Sequence, residues 1–69
     1  MKIIATITLS NDQKDTGELF VDGDQVRARN ARTGEIEEGS HTIPPGMKPE
    51  EAITIWYGSG EVWNLKFSE

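Results

Sequence analysis

The sequence predicts an all-β fold, a small SH3-like or similar antiparallel barrel of five to six strands in which residues 49–52 can form one helical turn. Short runs of β-branched and aromatic residues recur between turn signals at close intervals, a pattern typical of small barrels. Such runs flank two hairpin signals, Asp22-Gly23 and Gly58-Ser59-Gly60. The alternative is an α+β fold, a curved sheet that carries one short helix. At 69 residues the chain fits a single β-rich domain over residues 1–69 with a small core.

Residues 2–10 predict a first strand that is buried on one face. Apolar residues alternate there with threonines, and in a strand every second side chain points the same way. The expected inward residues are Ile3, Ala5, Ile7 and Leu9. Residues 11–17 are all polar or glycine, and several of these types hydrogen-bond their own backbone, so we expect a long solvated loop there.

Residues 18–21 and 26–29 predict a second and a third strand that pair antiparallel. Between them, Asp22-Gly23 supplies the positive φ angle that a tight hairpin needs. One face of this pair is apolar and is expected to point inward, with Leu19, Val21, Val26 and Ala28. The other face carries Arg27 and Arg29, with Phe20 on the neighbouring strand.

The middle of the chain predicts two short extended pieces, around residues 35–37 and 41–43. A turn signal at residues 32–35 leads into the first piece. Pro44-Pro45-Gly46 ends the second piece, because proline donates no ladder hydrogen bond and Pro-Gly favours a turn. Each piece contributes one apolar side chain.

The C-terminal segment predicts a second hairpin after the helical turn at residues 49–52. Residues 53–57 are consecutive β-branched or aromatic residues, which favours a strand. A three-residue loop at residues 58–60 then gives the hairpin one apolar face. That buried face collects Ile53, Ile55, Tyr57, Trp63 and Leu65. Trp56 points to the opposite face in this register.

A continuous α-helix over residues 49–57 is the alternative for the same segment. Pro49 and the two acidic residues after it suit a first helical turn, and Gly58 suits a stop. A helix there would remove the predicted C-terminal hairpin, the predicted barrel and every surface inferred from it.

Composition and charge exclude several classes of function. The chain has no cysteine, which excludes disulfides, thiolate metal sites and a cysteine nucleophile. Its net charge of −5 disfavours non-specific attraction to nucleic acid and to anionic membranes. The N-terminal apolar run is broken by Thr6 and Thr8, too early for a signal-peptide core or a membrane span. We therefore expect a cytoplasmic protein without a cofactor or a bound metal.

No set of residues predicts catalysis, and we expect a protein that is not an enzyme. The single histidine, His41, directly follows Ser40, and neighbours in an extended segment point to opposite faces, so they cannot act as base and nucleophile. We interpret His41 as a surface or strand-end residue. Asp22-Gly23-Asp24 lacks the later positions of a calcium loop, and we interpret it as a turn.

Three arginines are candidates for a nucleic-acid site. Arg27, Arg29 and Arg32 lie close together in the sequence, and with Phe20 they could line a groove for single-stranded nucleic acid. The competing interpretation is that they pair across the sheet with acidic neighbours, which stabilises an outward face. Those neighbours are Glu18, Glu35 and Glu37. The negative net charge favours this second interpretation.

The function predicted first is a non-enzymatic protein-interaction module or a subunit of a larger assembly. Trp56 is the candidate contact residue, because tryptophan offers a large rigid apolar area with a polar handle. An exposed sheet edge such as residues 2–10 is another candidate. The expected partner is another protein or a second copy of the chain. A further alternative is an acidic inhibitor of a nucleic-acid-binding enzyme, which would present Glu35, Glu37 and Glu38.

Overall fold

The computed structural model describes residues 2–10, 12–58 and 62–68, which form five antiparallel strands and one helix. In chain order these are β1 Ile3–Leu9, β2 Asp12–Asp22, β3 Gln25–Asn30, β4 Ile36–Thr42, α1 Pro49–Tyr57 and β5 Trp63–Phe67. The strands form one sheet in the order β4-β3-β2-β1-β5. The predicted β class with one short helical element is confirmed. Closure of the sheet into a barrel is not shown, because β4 and β5 lie at opposite ends of the described strand order and do not pair.

The core lies on one face of this sheet. Ala5, Ile7, Leu19 and Val26 are buried there together with Ile53 of the helix. We call this side of the sheet the core face and the opposite side the outer face. Because cross-strand partners share a face, the ladder of each strand pair fixes which other side chains join the core face.

The alternation predicted for β1 holds from Ala5 onward and fails at Ile3. Ala5 pairs with Leu19 while Ile3 pairs with Phe20, so β1 has one extra residue, Ile4, at this point. Such an insertion is a β-bulge. Ile3 consequently shares the outer face with Phe20, whereas Ile4 packs against the core.

The hairpin predicted between β2 and β3 is present in the predicted register. Leu19 pairs with Ala28 and Phe20 pairs with Arg27. Gly23 has a φ of 64° and is the first of the two residues between the paired Asp22 and Gln25, as in a type II′ turn. The expectation of a solvated loop over residues 11–17 is wrong from residue 12 onward, because β2 already begins at Asp12.

The two extended pieces predicted in the middle of the chain form one edge strand, β4. Arg27 pairs with Ser40 and Arg29 with Ile36, so residues 37–39 of β4 oppose a single residue of β3 in a bulge. All seven residues of β4 are exposed. The turn at Pro44-Pro45-Gly46 follows as predicted, and Gly46 has a φ of 80°.

The prediction of a C-terminal hairpin is wrong, because Pro49–Tyr57 is a continuous α-helix. The side chains that face the core recur at helical spacing: Ala52 and Ile53 are buried, and Trp56 and Tyr57 are half-buried. Ile55, which the hairpin would bury, is 64% exposed. The helical period of the apolar side chains therefore outweighs the strand preference of β-branched residues.

The helix begins and ends where the alternative prediction placed its signals. Glu50 and Glu51 follow the leading proline in the first turn, where negative charge is favourable. The Gly58 N–H donates to the Thr54 carbonyl oxygen at 2.7 Å. A Cβ at Gly58 would lie only 2.5 Å from that oxygen, so a side chain would clash there. The predicted loop at 58–60 includes Ser59 and Gly60, which lie outside the described residues.

Strand β5 pairs with β1 instead of with residues 53–57. The partners on the core face are Leu9 with Trp63, Ile7 with Leu65, and Ala5 with Phe67. β1 therefore has a neighbour on each side, and the prediction that residues 2–10 form an exposed edge is wrong. The two edges of the described sheet are β4 and β5.

Candidate protein-binding groove

A cavity of about 430 Å³ opens on the core face, beside the C-terminal end of α1. We call it the core-face groove. Its floor is made of apolar side chains from three adjacent strands and from β5. They are Ile7, Leu9, Leu19, Val26, Ala28 and Trp63. The alternation that points every second side chain of these strands toward the core therefore also forms the floor of the groove.

Gly17 helps to keep the floor of the core-face groove open. It pairs with Ile7 and lines the groove, so the floor has no side chain at this position. A Cβ built there would lie 3.2 Å from Ile7 Cγ1, closer than ordinary contact. A larger residue at position 17 would therefore both press on Ile7 and fill part of the groove.

Aromatic rings stand together at one side of the core-face groove. Tyr57 and Trp63 meet edge to face, with ring centroids 5.5 Å apart and an interplanar angle of 90°. His41 lies 4.9 Å from the ring of Trp56 and 6.1 Å from that of Tyr57. We call these four side chains the aromatic wall. His41, Tyr57 and Trp63 also line the groove itself.

Three different elements bring the aromatic wall together. His41 pairs with Val26 and therefore lies on the core face of β4. Trp56 and Tyr57 come from the last turn of α1, and Trp63 begins β5. Partial burial raises the pKa of the Tyr57 phenol above its ordinary value of 10.0 by desolvation. Its hydroxyl is accordingly protonated at neutral pH and can donate a hydrogen bond to a ligand.

The rim of the core-face groove carries more negative than positive charge available to a ligand. Asp15 and Glu37 line it together with Arg27. The Arg27 guanidinium lies 3.9 Å from Asp22 and donates to the Glu37 carbonyl oxygen at 3.3 Å. The Glu37 carboxylate forms no ion pair with another described residue. The Glu37 carboxylate is thus the negative charge on the rim that is available to pair with a cationic partner.

The arginines predicted as a nucleic-acid site are engaged with carboxylates. Arg29 donates two hydrogen bonds to Glu18 Oε1, at 3.0 Å from Nε and 2.7 Å from Nη2, across the β2–β3 ladder. Arg32, in the turn after β3, donates to Asp15 at 2.9 Å. Arg27 and Arg29 share the outer face with Phe20, as expected from the sequence.

Trp56 is not the free hairpin residue that the sequence suggested. It lies on α1, is half-buried against the core and stacks with His41. The sequence interpretation placed Tyr57 and Trp63 on one buried face, although of a hairpin, and it missed His41 beside them and the groove that the three residues line. The spacing of Ala52, Ile53, Trp56 and Tyr57 is the signal that could have revealed it, because this spacing places all four on one side of a helix.

The structure gives the Ser40 and His41 side chains different surroundings. Ser40 Oγ donates to Gln25 Oε1 at 3.0 Å, on the outer face, while His41 faces the aromatic wall. Among the residues described, no three acidic, histidine or cysteine side chains converge as metal ligands. Over the same parts of the chain, no helix has the length and apolar character of a membrane span.

Comparison of the chain with protein-family models, with curated proteins and with solved structures gives no match.

Proposed function

We propose that the protein is a small non-enzymatic interaction module that binds an extended segment of another protein in the core-face groove. The observation that carries the proposal is the groove itself, a cavity of about 430 Å³ with an apolar floor on a domain of 69 residues. Volumes of roughly 300–1,000 Å³ are typical of ligand pockets, and a predominantly apolar lining with a few polar groups is their usual composition. We also propose that the protein is cytoplasmic.

The lining favours one large apolar side chain of the partner as the anchor. Tyr57 and Trp63 offer rigid aromatic area, and such residues commonly dominate binding energy because little side-chain entropy is lost. An apolar anchor would replace water over the half-buried residues of the floor, Leu9, Ala28 and Trp63. The Tyr57 hydroxyl can hydrogen-bond the backbone of the bound segment, which would fix its orientation.

Charge favours a basic segment around this anchor. The chain has a net charge of −5, and the Glu37 carboxylate lies on the groove rim without a described ion-pair partner. Complementary charge speeds association and selects partners more than it adds affinity. We therefore expect lysine or arginine to flank the apolar anchor of the bound segment.

The arrangement of the arginines gives less support to binding of single-stranded nucleic acid. Arg27, Arg29 and Arg32 are each paired with a carboxylate, so a phosphate would have to displace an acidic partner at every contact. Phe20, which would have to stack with bases, is only 7% exposed. Both observations favour the protein-binding proposal.

The proposal is tested with peptides selected from a random displayed library and measured for binding in solution. Ala28→Phe is designed to fill the groove, and it is expected to weaken binding by at least about tenfold, the loss of roughly 1.4 kcal/mol. The matched control is Thr42→Phe, which places the same ring on the exposed outer face of β4 and should leave binding unchanged. Circular dichroism confirms that both variants are folded.

A second measurement addresses the expected chemistry of the segment. Selected peptides should be enriched in an aromatic or large aliphatic residue flanked by lysine or arginine, and Glu37→Gln should weaken their binding while Glu51→Gln does not. The proposal is overturned if Ala28→Phe binds the peptides as well as the unmodified protein does. It is also overturned if only single-stranded oligonucleotides bind, with an affinity that falls steeply with salt and is lost in Arg29→Gln.

A further inference from the structure

The hydrogen-bonding phase of the β1–β5 ladder shows which backbone groups of β5 face its free edge. The Ser10 N–H donates to Val62 O and the Ser68 N–H donates to Ile4 O, both at 2.9 Å. In an antiparallel pair, hydrogen-bonded and non-hydrogen-bonded partners alternate. Between these two bonds, Asn64 and Lys66 therefore bond to β1. The backbone N–H and C=O groups of the other three residues point away from β1. Those residues are Trp63, Leu65 and Phe67.

There is room beside this edge for another strand. Among the described parts of the chain, no backbone or side-chain hydrogen bond involves the outward N–H and C=O groups of Trp63, Leu65 and Phe67. A cavity of about 820 Å³ is lined by all five residues of β5, by residues at the end of the helix and by threonines on the outer face of β1 and β2. The helix residues are Thr54, Tyr57 and Gly58, and the threonines are Thr6, Thr8 and Thr16. An unpaired edge with three donors and three acceptors at a two-residue spacing is a template for strand addition.

We propose that a second copy of this chain occupies the edge, with the two β5 strands antiparallel and centred on Leu65. In this register Leu65 lies opposite Leu65 of the second copy, and each donates to the other. Trp63 lies opposite Phe67 and exchanges the same pair of hydrogen bonds. The two five-stranded sheets thereby become one continuous sheet across a two-fold axis, which is the usual symmetry of a homodimer.

The side chains of β5 are compatible with this self-pairing. On the core face, Trp63 meets Phe67 of the second copy, and aromatic cross-strand pairs are stabilising. Phe67 is 43% exposed and would be covered. On the outer face, Asn64 meets Lys66, which is the only charged residue of the strand. Like charges therefore do not lie opposite each other in this register.

The contrast between the two sheet edges supports β5 as the pairing edge. β4 is interrupted by a bulge at residues 37–39 that carries Glu37 and Glu38, and bulges and charged side chains both protect edges from pairing. β5 carries one charged side chain, Lys66, and no bulge. In β5, by contrast, the pairing with β1 runs from Trp63 to Phe67 without a register shift. Edge pairing is thus hindered at β4, whereas the regular backbone of β5 can pair with a further strand.

Sedimentation equilibrium and amide hydrogen exchange test the proposal on the full chain. The expected result is a concentration-dependent mass that rises from 7.7 kDa toward twice that value. Amides of Leu65 and Phe67 should exchange slowly at concentrations where the dimer forms and rapidly where it dissociates. Amides of Asn64 and Lys66 should be protected at both concentrations, because they bond to β1.

A matched pair of variants separates the contribution of the backbone hydrogen bond at position 67 from that of the aromatic side chain. Phe67→Pro and Phe67→Ala both remove the aromatic ring, but only proline also removes the N–H that faces the edge. Phe67→Pro should raise the dimer dissociation constant at least about tenfold above that of Phe67→Ala, a difference of roughly 1.4 kcal/mol. A monomer at every concentration overturns the proposal, as does a dimer in which Leu65 and Phe67 amides stay unprotected. The exchange pattern of the unmodified chain decides the matter even if Phe67→Pro does not fold.

Discussion

Tyr57 connects the packing of the molecule with its candidate binding surface. Its ring meets Trp63 edge to face and forms part of the groove lining, while its position at the end of α1 ties that lining to the helix. Burial opposes ionisation of the phenol and raises its pKa. The ionisation of one side chain therefore reports whether the aromatic wall is formed.

The titration of Tyr57 gives a direct test at this scale. The chain has a single tyrosine, so the ultraviolet absorbance of tyrosinate follows this residue alone. We expect a titration midpoint above 10.0 in the folded protein. Below pH 10 both the folded and the unfolded protein keep the proton, and Tyr57 adds no pH dependence. As the pH rises further, the unfolded chain loses the proton first, so the free energy of unfolding falls until the pH passes the folded pKa.

Tyr57→Phe is the control for this titration. Without the phenol, the free energy of unfolding should decline less steeply above pH 10. A midpoint at or below 10 in the unmodified protein would show that the phenol is not buried against the wall.

At the scale of elements, strand pairing could be predicted where the two strands are close together along the chain. The β2–β3 hairpin could be predicted with its register, because Asp22-Gly23 fixes the turn and apolar residues alternate on both sides. The C-terminal segment could not be predicted in the same way. Residues 53–57 satisfy both a strand pattern and a helical pattern, and β5 finds its partner in β1, at the other end of the chain. Local preference does not reveal such a distant partner.

The start of α1 offers a stabilising substitution. Lys48 is the N-cap residue and its side chain makes no capping hydrogen bond in the described structure. Lys48→Ser would supply an acceptor for the first-turn N–H groups, and Glu51 three residues later completes a capping box. We expect the free energy of unfolding to rise by about 1 kcal/mol in urea denaturation. Lys48→Ala removes the same charge without a cap, and equal stability of the two variants would contradict a helix that begins at Pro49.

At the scale of the whole molecule, the helix and the sheet together decide which surfaces are open. α1 covers only part of the core face, and what it leaves uncovered is the core-face groove. The three arginines were proposed as a cluster because they are close in the sequence, and each is paired with a carboxylate, Arg29 with Glu18 as the favoured alternative expected. Tyr57 and Trp63 were expected on one face, but His41 could not be recognised as their neighbour, because three separate elements must fold before these side chains meet.

Two isoleucines of α1 give the most direct test of how the helix lies on the sheet, on which the groove and the aromatic wall both depend. Ile53 is fully buried, whereas Ile55 is 64% exposed. Ile53→Ala should lower the free energy of unfolding by about 2–5 kcal/mol, measured by urea denaturation. Ile55→Ala should change it by no more than about 0.5 kcal/mol. Large and similar losses for both variants would contradict the helix, because only a strand over residues 53–57 places both side chains on one buried face.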